Sequence, residues 1–194
     1  MYIAIRKITV DANKTSDLTA AAESAHALTS GVEGFRWAML LRSSDDATRF
    51  ATVSMWLTTE AATSWAIGAI GAAFDSTLTA VGSDSSFREF DVAMARGSMT
   101  PATYAVMVEW DVPSEDAAAF ANRWNAVYHA VEDAIGSRLL RDLEQANRYV
   151  GFHVVTKQEA LKSDAFVADI DAGEGVALKP VSMARYSVVL LGEA

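Results

Sequence analysis

The chain of 194 residues has no cysteine, three prolines and three histidines, and its 16 lysines and arginines are outnumbered by 25 acidic residues. Without cysteine there are no disulfides, thiolate metal sites or cysteine nucleophiles, a pattern that suits a cytoplasmic protein. The net charge of -9 opposes nucleic acid and anionic membrane surfaces, since both select cationic partners. No apolar run reaches the roughly 18 residues that a spanning helix needs; the longest candidate, AIGAIGAAF at 66–74, is far shorter. The opening MYIAIRKITVD carries its two cations at 6 and 7, within its apolar residues and not ahead of them, so it reads as a first strand and not as a leader. The histidines are scattered singly, with no HxxxH or HxH spacing, and GxGxxG, P-loop and GxSxG patterns are missing. Neither a metal centre, nor a nucleotide cofactor, nor a serine hydrolase is therefore expected.

What is present is a repeat. Hydrophobic residues make up 51% of the chain and charged residues 21%, ample for packed cores. Residues 40–65 and 139–164 align without gaps and share Leu40/Leu139, Leu41/Leu140, Arg42/Arg141, Ala47/Ala146, Arg49/Arg148, Glu60/Glu159, Ala61/Ala160 and Ser64/Ser163. Unrelated segments of this composition would share roughly two. YIAIRKITVD at 2–11 has its counterpart in YAVMVEWDVP at 104–113, and FREFDVAMARG at 87–97 in MARYSVVLLG at 183–192.

Each half spells strand, helix, strand, strand, helix, strand. In the second, Tyr104, Val106, Val108, Trp110 and Val112 alternate with other residues, the period of a half-buried strand. Pro113 stops it, and Ser114 is placed to cap a helix whose apolar stripe is Ala117, Phe120, Ala121, Trp124, Val127, Tyr128 and Val131. Strands near 136–142 and 147–156, a short helix opening near Lys157 and a last strand near 181–191 complete it. The first half predicts strands near 2–10, 35–43, 48–57 and 87–96 and helices near 16–30 and 59–80, the latter weakened by Gly68 and Gly71 at about 1 kcal/mol each. The expected fold class is α+β: two tandem ferredoxin-like domains, 1–97 and 103–194, joined by a linker at 98–102. A four-stranded sheet with helices on one side must bury its other face. Two copies on one chain are thus expected to act as an intrachain pseudo-dimer with antiparallel sheets, and a further homodimer is compatible with that arrangement.

RFATVSMWLTTEAATSW at 49–65 resembles the antibiotic biosynthesis monooxygenase family, in which the third strand ends in a tryptophan, followed by a polar turn and a Glu-Ala pair opening a helix. Here these are Trp56, Leu57-Thr58-Thr59 and Glu60-Ala61; GFRWAMLLR at 34–42, with Trp37, also fits. The resemblance implies a dimeric α+β barrel. It leaves the activity open, because some members oxidise aromatic polyketide intermediates with oxygen and no cofactor while others degrade haem.

In cofactor-free members that tryptophan and an asparagine four residues earlier line the pocket. Trp56 matches, whereas Thr52 stands for the asparagine without an amide's paired donor and acceptor. Ala62 stands where some members have an aromatic residue. In haem-degrading members, Trp65 would match a pocket tryptophan, but Arg6 replaces a strand-one asparagine and Asp75 falls near the histidine position. Haem degradation is disfavoured, since a carboxylate is a poor axial ligand. By the repeat, Arg6 replaces Val108, so it needs either a carboxylate such as Glu89 or Asp91 or a ligand oxyanion. His153 occupies the position of Ser54 and reads as a core histidine or as a base for an acidic phenol or anthrone. His26 and His129 read as ordinary helix residues.

The function expected is a cofactor-independent, monooxygenase-like enzyme acting on a hydrophobic aromatic small molecule, with a non-catalytic ligand-binding or structural module as the alternative. Its expected site comprises His153 and Arg6 as chemical groups and Trp56, Thr52, Trp65, Ser54 and Trp37 as substrate contacts, with no cofactor and no metal.

Overall fold

The structure, a computed structural model, describes residues 1–129, 134–166, 170–171 and 177–194. Its fold is α+β, with two ferredoxin-like units in tandem. The compact units are Met1–Glu89 with Ser187–Ala194, and Phe90–Tyr186. This division departs from the repeat boundary at 98–102 because the last strand of each half is longer than its neighbours. β4 (Gly82–Gly97) has 16 residues and β10 (Ser182–Glu193) has 12, against nine in β1 (Tyr2–Val10). Each long strand begins in one unit and ends in the other.

In the first unit, α1 (Thr15–Thr29), β2 (Phe35–Ser43), β3 (Arg49–Trp56), α2 (Thr59–Ile67) and α3 (Ala69–Val81) follow β1. The strand order is β4–β1–β3–β2–β10. Thr58 caps α2 by accepting the amide of Ala61 at 3.2 Å, as a helix N-terminus requires. The single helix expected over 59–80 breaks at Gly68, whose backbone is extended. A Cβ on Gly71 would lie 2.7 Å from the Cα of Ala66, so glycine lets α3 turn tightly against the end of α2. The break also resets the inward face, which in α3 runs through Gly71, Leu78 and Val81, leaving Ala73 exposed.

The second unit contains β5 (Tyr104–Asp111), α4 (Ala117–His129), β6 (Ala134–Asp142), β7 (Arg148–Val155) and a small hairpin of β8 (Ile170–Asp171) and β9 (Ala177–Leu178). Its main strand order is β10–β5–β7–β6–β4. α4 begins three residues after Ser114, following a turn over 114–116. Where the first unit has α2, residues Gln158–Lys162 form only a 3-10 turn, since Lys157 replaces the capping Thr58 and makes no side-chain cap. Val131 and the side chain of His129 lie outside the described residues. Among those described, no helix is long and apolar enough to cross a membrane.

Of the stripe expected on α4, Phe120, Trp124 and Tyr128 are buried and Ala117, Ala121 and Val127 are half-buried beside them, and the size of the rings sets the character of this core. Phe120, Trp124 and Tyr128 pack with Trp110, Tyr149 and Phe166. His153 lies among them, fully buried, stacked on Tyr128 at 4.0 Å between ring centroids, with Ser137 Oγ 2.9 Å from its Nδ1. A Cβ on Gly151 would lie 2.7 Å from His153 Nε2 and 3.0 Å from both Trp110 and Trp124. Gly151→Ala should therefore cost about 1–3 kcal/mol of stability through overpacking, read as a lowered urea midpoint.

Burial pushes the His153 imidazole down from the ordinary 6.5 to about 3. Between those values the unfolded chain binds a proton that the folded chain excludes. The stability from neutral His153 is complete above about pH 6.5 and is lost as pH falls toward the folded value. Urea denaturation at stepped pH should show this group contributing a slope of up to about 1.4 kcal/mol per pH unit in that window, and His153→Gln should remove it.

Candidate functional site

The first unit uses the same frame with smaller side chains. Where α4 turns Phe120, Trp124 and Tyr128 inward, α1 presents Ala22, Ala25, His26 and Thr29, and α2 presents Ala62 beside Trp65. Between these helices and the sheet lies a cavity of about 550 Å³. Strand alternation supplies its floor. Tyr2, Ala4 and Arg6 of β1 face it opposite Trp56, Ser54 and Thr52 of β3, in the register Tyr2↔Trp56, Ala4↔Ser54, Arg6↔Thr52. β2 adds Phe35, Ala38 and Leu40, α3 adds Phe74 and Asp75, and β4 adds Phe87 and Glu89.

One end of the cavity is aromatic. Trp56 meets Phe35 edge-on, with centroids 5.2 Å apart and planes at 68°, and lies 5.6 Å from Trp65. Both indole N–H groups are satisfied within the wall. Trp56 Nε1 donates to Ser54 Oγ at 3.1 Å, and Trp65 Nε1 donates to Thr29 Oγ1 at 2.9 Å. Thr29 in turn donates to the carbonyl of Ala25 at 2.6 Å. The rings are thereby held in place without polar atoms left over on their edges.

The polar groups pair across the elements. Tyr2 donates its hydroxyl to Glu89. Burial above all, and then the hydrogen bond and charge of Glu89, hold its phenol above the usual tyrosine range. Arg6 pairs with Asp75 of α3 and lies 5.5 Å from the Phe87 ring centroid. The partner of Arg6 is thus neither Glu89 nor Asp91, the sequence-based candidates; Asp91 lies 3.6 Å from Arg141 in the second unit. The side chain of Asp75 is 58% exposed, so the Arg6–Asp75 pair sits at the wet edge of the cavity.

Of the residues expected from sequence, Arg6, Thr52, Ser54, Trp56 and Trp65 come together on this lining. Trp37 does not. A register shift between Phe35 and Trp37 puts Trp37 on the face of β2 opposite Ala38 and Leu40, where it is buried. His153 lies in the aromatic core of the second unit, outside the lining. Tyr2, Phe35, Glu89 and His26 also reach the lining, although the sequence did not mark them as site residues. His26 is partly buried, with its ring centroid 6.1 Å from Phe35 and its Nδ1 lacking a hydrogen-bond partner among the described residues. The signal for it was available: Ala22, Ala25, His26 and Thr29 form one helical stripe too small to fill the space below it.

A cavity of this size, mostly apolar, with aromatic walls and a few convergent polar groups, has the general form of a small-molecule site. Residues 1–67 match the family model for antibiotic biosynthesis monooxygenase. Over the whole chain the fold is shared with a candidate monooxygenase of Fusobacterium nucleatum, which is 18% identical with a TM-score of 0.79 over 99% of this chain and 94% of that one. It is shared also with a candidate monooxygenase of Lactobacillus acidophilus, 13% identical with a TM-score of 0.77 over 99% and 95% of the two chains. An anthrone oxidase-like protein matches at 14% identity and a TM-score of 0.67 over 100% and 93%. At such identities the likeness is one of fold, and no curated protein matches the sequence. The segment that runs from β1 to the end of α2, carrying Trp56 and Trp65, is the part of the chain that is similar to the antibiotic biosynthesis monooxygenase family.

Proposed function

We propose that the first unit binds a hydrophobic aromatic molecule of polyketide or quinone type and oxygenates it without a cofactor. The observation that carries this reading is the cavity itself, about 550 Å³, walled by Trp56, Trp65 and Phe35 and edged by Arg6. An anthrone-like substrate has a methylene between two aryl rings. Removing one proton gives an electron-rich anion that reacts with molecular oxygen directly. One oxygen atom becomes the new carbonyl of the quinone, and the other leaves as water with the two methylene hydrogens.

The protein then has to supply a dry, shaped slot, a proton acceptor and a partner for the anion. Trp56 and Trp65 are the walls, and Thr52 and Ser54 the polar contacts. Arg6 is the anion partner: exposed ion pairs are worth only about 0–1 kcal/mol, so Arg6 can exchange Asp75 for a ligand oxyanion at little cost. His153 and Trp37, being off the lining, take no part in this reading. A cysteine-free, acidic chain suits a cytoplasmic setting.

A second reading, a non-catalytic binding module, draws on the pairing of Tyr2 with Glu89 and of Arg6 with Asp75, which leaves few lining groups unengaged. Oxygen uptake with a panel of anthrones and hydroquinones, run beside a haem titration, separates the two. The oxygenase reading expects one oxygen molecule consumed per anthrone, no haem spectrum, and a loss of about tenfold in kcat/KM for Trp56→Ala, the equivalent of the ~1.5 kcal/mol an aromatic contact contributes. Tight binding with no oxygen uptake would leave only the module. A lack of binding would remove both readings.

A further inference from the structure

We infer that His26 is the proton-accepting group of the first unit's cavity, an inference that rests on the oxygenase reading above and names the base it requires. Five titratable side chains reach the lining: Tyr2, Arg6, His26, Asp75 and Glu89. Tyr2 is engaged with Glu89, and Arg6 with Asp75. His26 remains, and its Nδ1 is buried without a hydrogen-bond partner among the described residues. That atom is closed off, so it is the remainder of the ring that the lining presents to a ligand.

The ring is also held in place. Phe35 lies against one side. Beneath it runs the backbone of Gly192, in the part of β10 that belongs to this unit; a Cβ there would overlap three atoms of the imidazole. Glycine at 192 therefore lets the ring lie flat on the strand, and Gly192 acts as a positioning residue. Phe35, which flanks His26, also packs on Trp56, so the histidine lies one ring away from the tryptophan wall.

The step is a proton transfer. The acidic C–H or O–H bond of the ligand breaks, its electron pair stays on the ligand as an aryl enolate or phenolate, and an N–H bond forms on the imidazole. Neutral ligand and neutral imidazole become anion and imidazolium, with Arg6 available to the anion. Histidine is the side chain most often used for such transfers.

Adding 1,8-dihydroxyanthrone under argon tests this without oxygen chemistry, because its anion absorbs in the visible while quenching of tryptophan fluorescence reports binding. Wild type should bind the probe and develop the anion band. His26→Gln should still bind, with at least about a tenfold smaller anion fraction. Gly192→Ala, which keeps the histidine but displaces its ring, should lose most of the band as well. In His26→Ala, added imidazole should restore the band, a rescue that a purely structural histidine would not show. A full anion band in His26→Gln, or wild type that binds without any band, would overturn the assignment while leaving the cavity as a ligand site. Failure of wild type to bind would overturn the cavity reading itself, and the base with it.

Discussion

Filling the space between a sheet and the helices laid across it is the constraint on which the rest of this protein depends. Protein interiors pack to near-crystalline density, so whatever the side chains leave open is a feature of the molecule. The second unit closes that space with Phe120, Trp124 and Tyr128 from α4, Trp110 and Tyr149 from its strands, and Phe166. The first has alanines on the matching helical surfaces, and its large apolar residues gather at two ends. Tyr2, Phe35 and Trp56 form one group, while Ile8, Leu18, Phe50 and Leu78 belong to the other. Cavity and solid core are two outcomes of one frame, decided by side-chain volume.

The same volumes explain what the histidines do. On β7, Gly151 makes room for rings, and His153 is drawn into an aromatic stack whose low polarity keeps it neutral. On β3 the corresponding residues are Thr52 and Ser54. Ser54 does not face a ring stack there; it accepts the indole N–H of Trp56. A duplicated position has thus become a packing element in one copy and a support for the cavity wall in the other.

The strands were legible in the sequence because alternation and the repeat agreed, and observed ends fall within about two residues of the expected ones except at β4, which begins directly after α3. The single helix expected over 59–80 assumes a continuous 3.6-residue phase through Gly68, and the extended backbone of that glycine breaks it. Trp56, Thr52, Ser54 and Arg6 could be gathered on one face by counting in twos along β1 and β3. Trp37 could not be placed, since the shift between Phe35 and Trp37 leaves no mark in the alternation. The Arg6–Asp75 and Tyr2–Glu89 pairs join residues 69 and 87 positions apart, which periodicity cannot see. His26 looked ordinary because its meaning comes from Gly192, far along the chain.

The ends of β4 and β10 bear on how the chain can be divided. Residues Phe90–Gly97 come from the first copy of the repeat, yet pair with β6 in the second unit, while Ser187–Ala194 come from the second copy and complete the first unit. A nick in the 98–103 connection would give two fragments, neither of which holds all the strands of either unit. The two copies are therefore not interchangeable parcels of sequence: a change in Phe90–Gly97 or Ser187–Ala194 is felt in the unit that its own copy does not otherwise build.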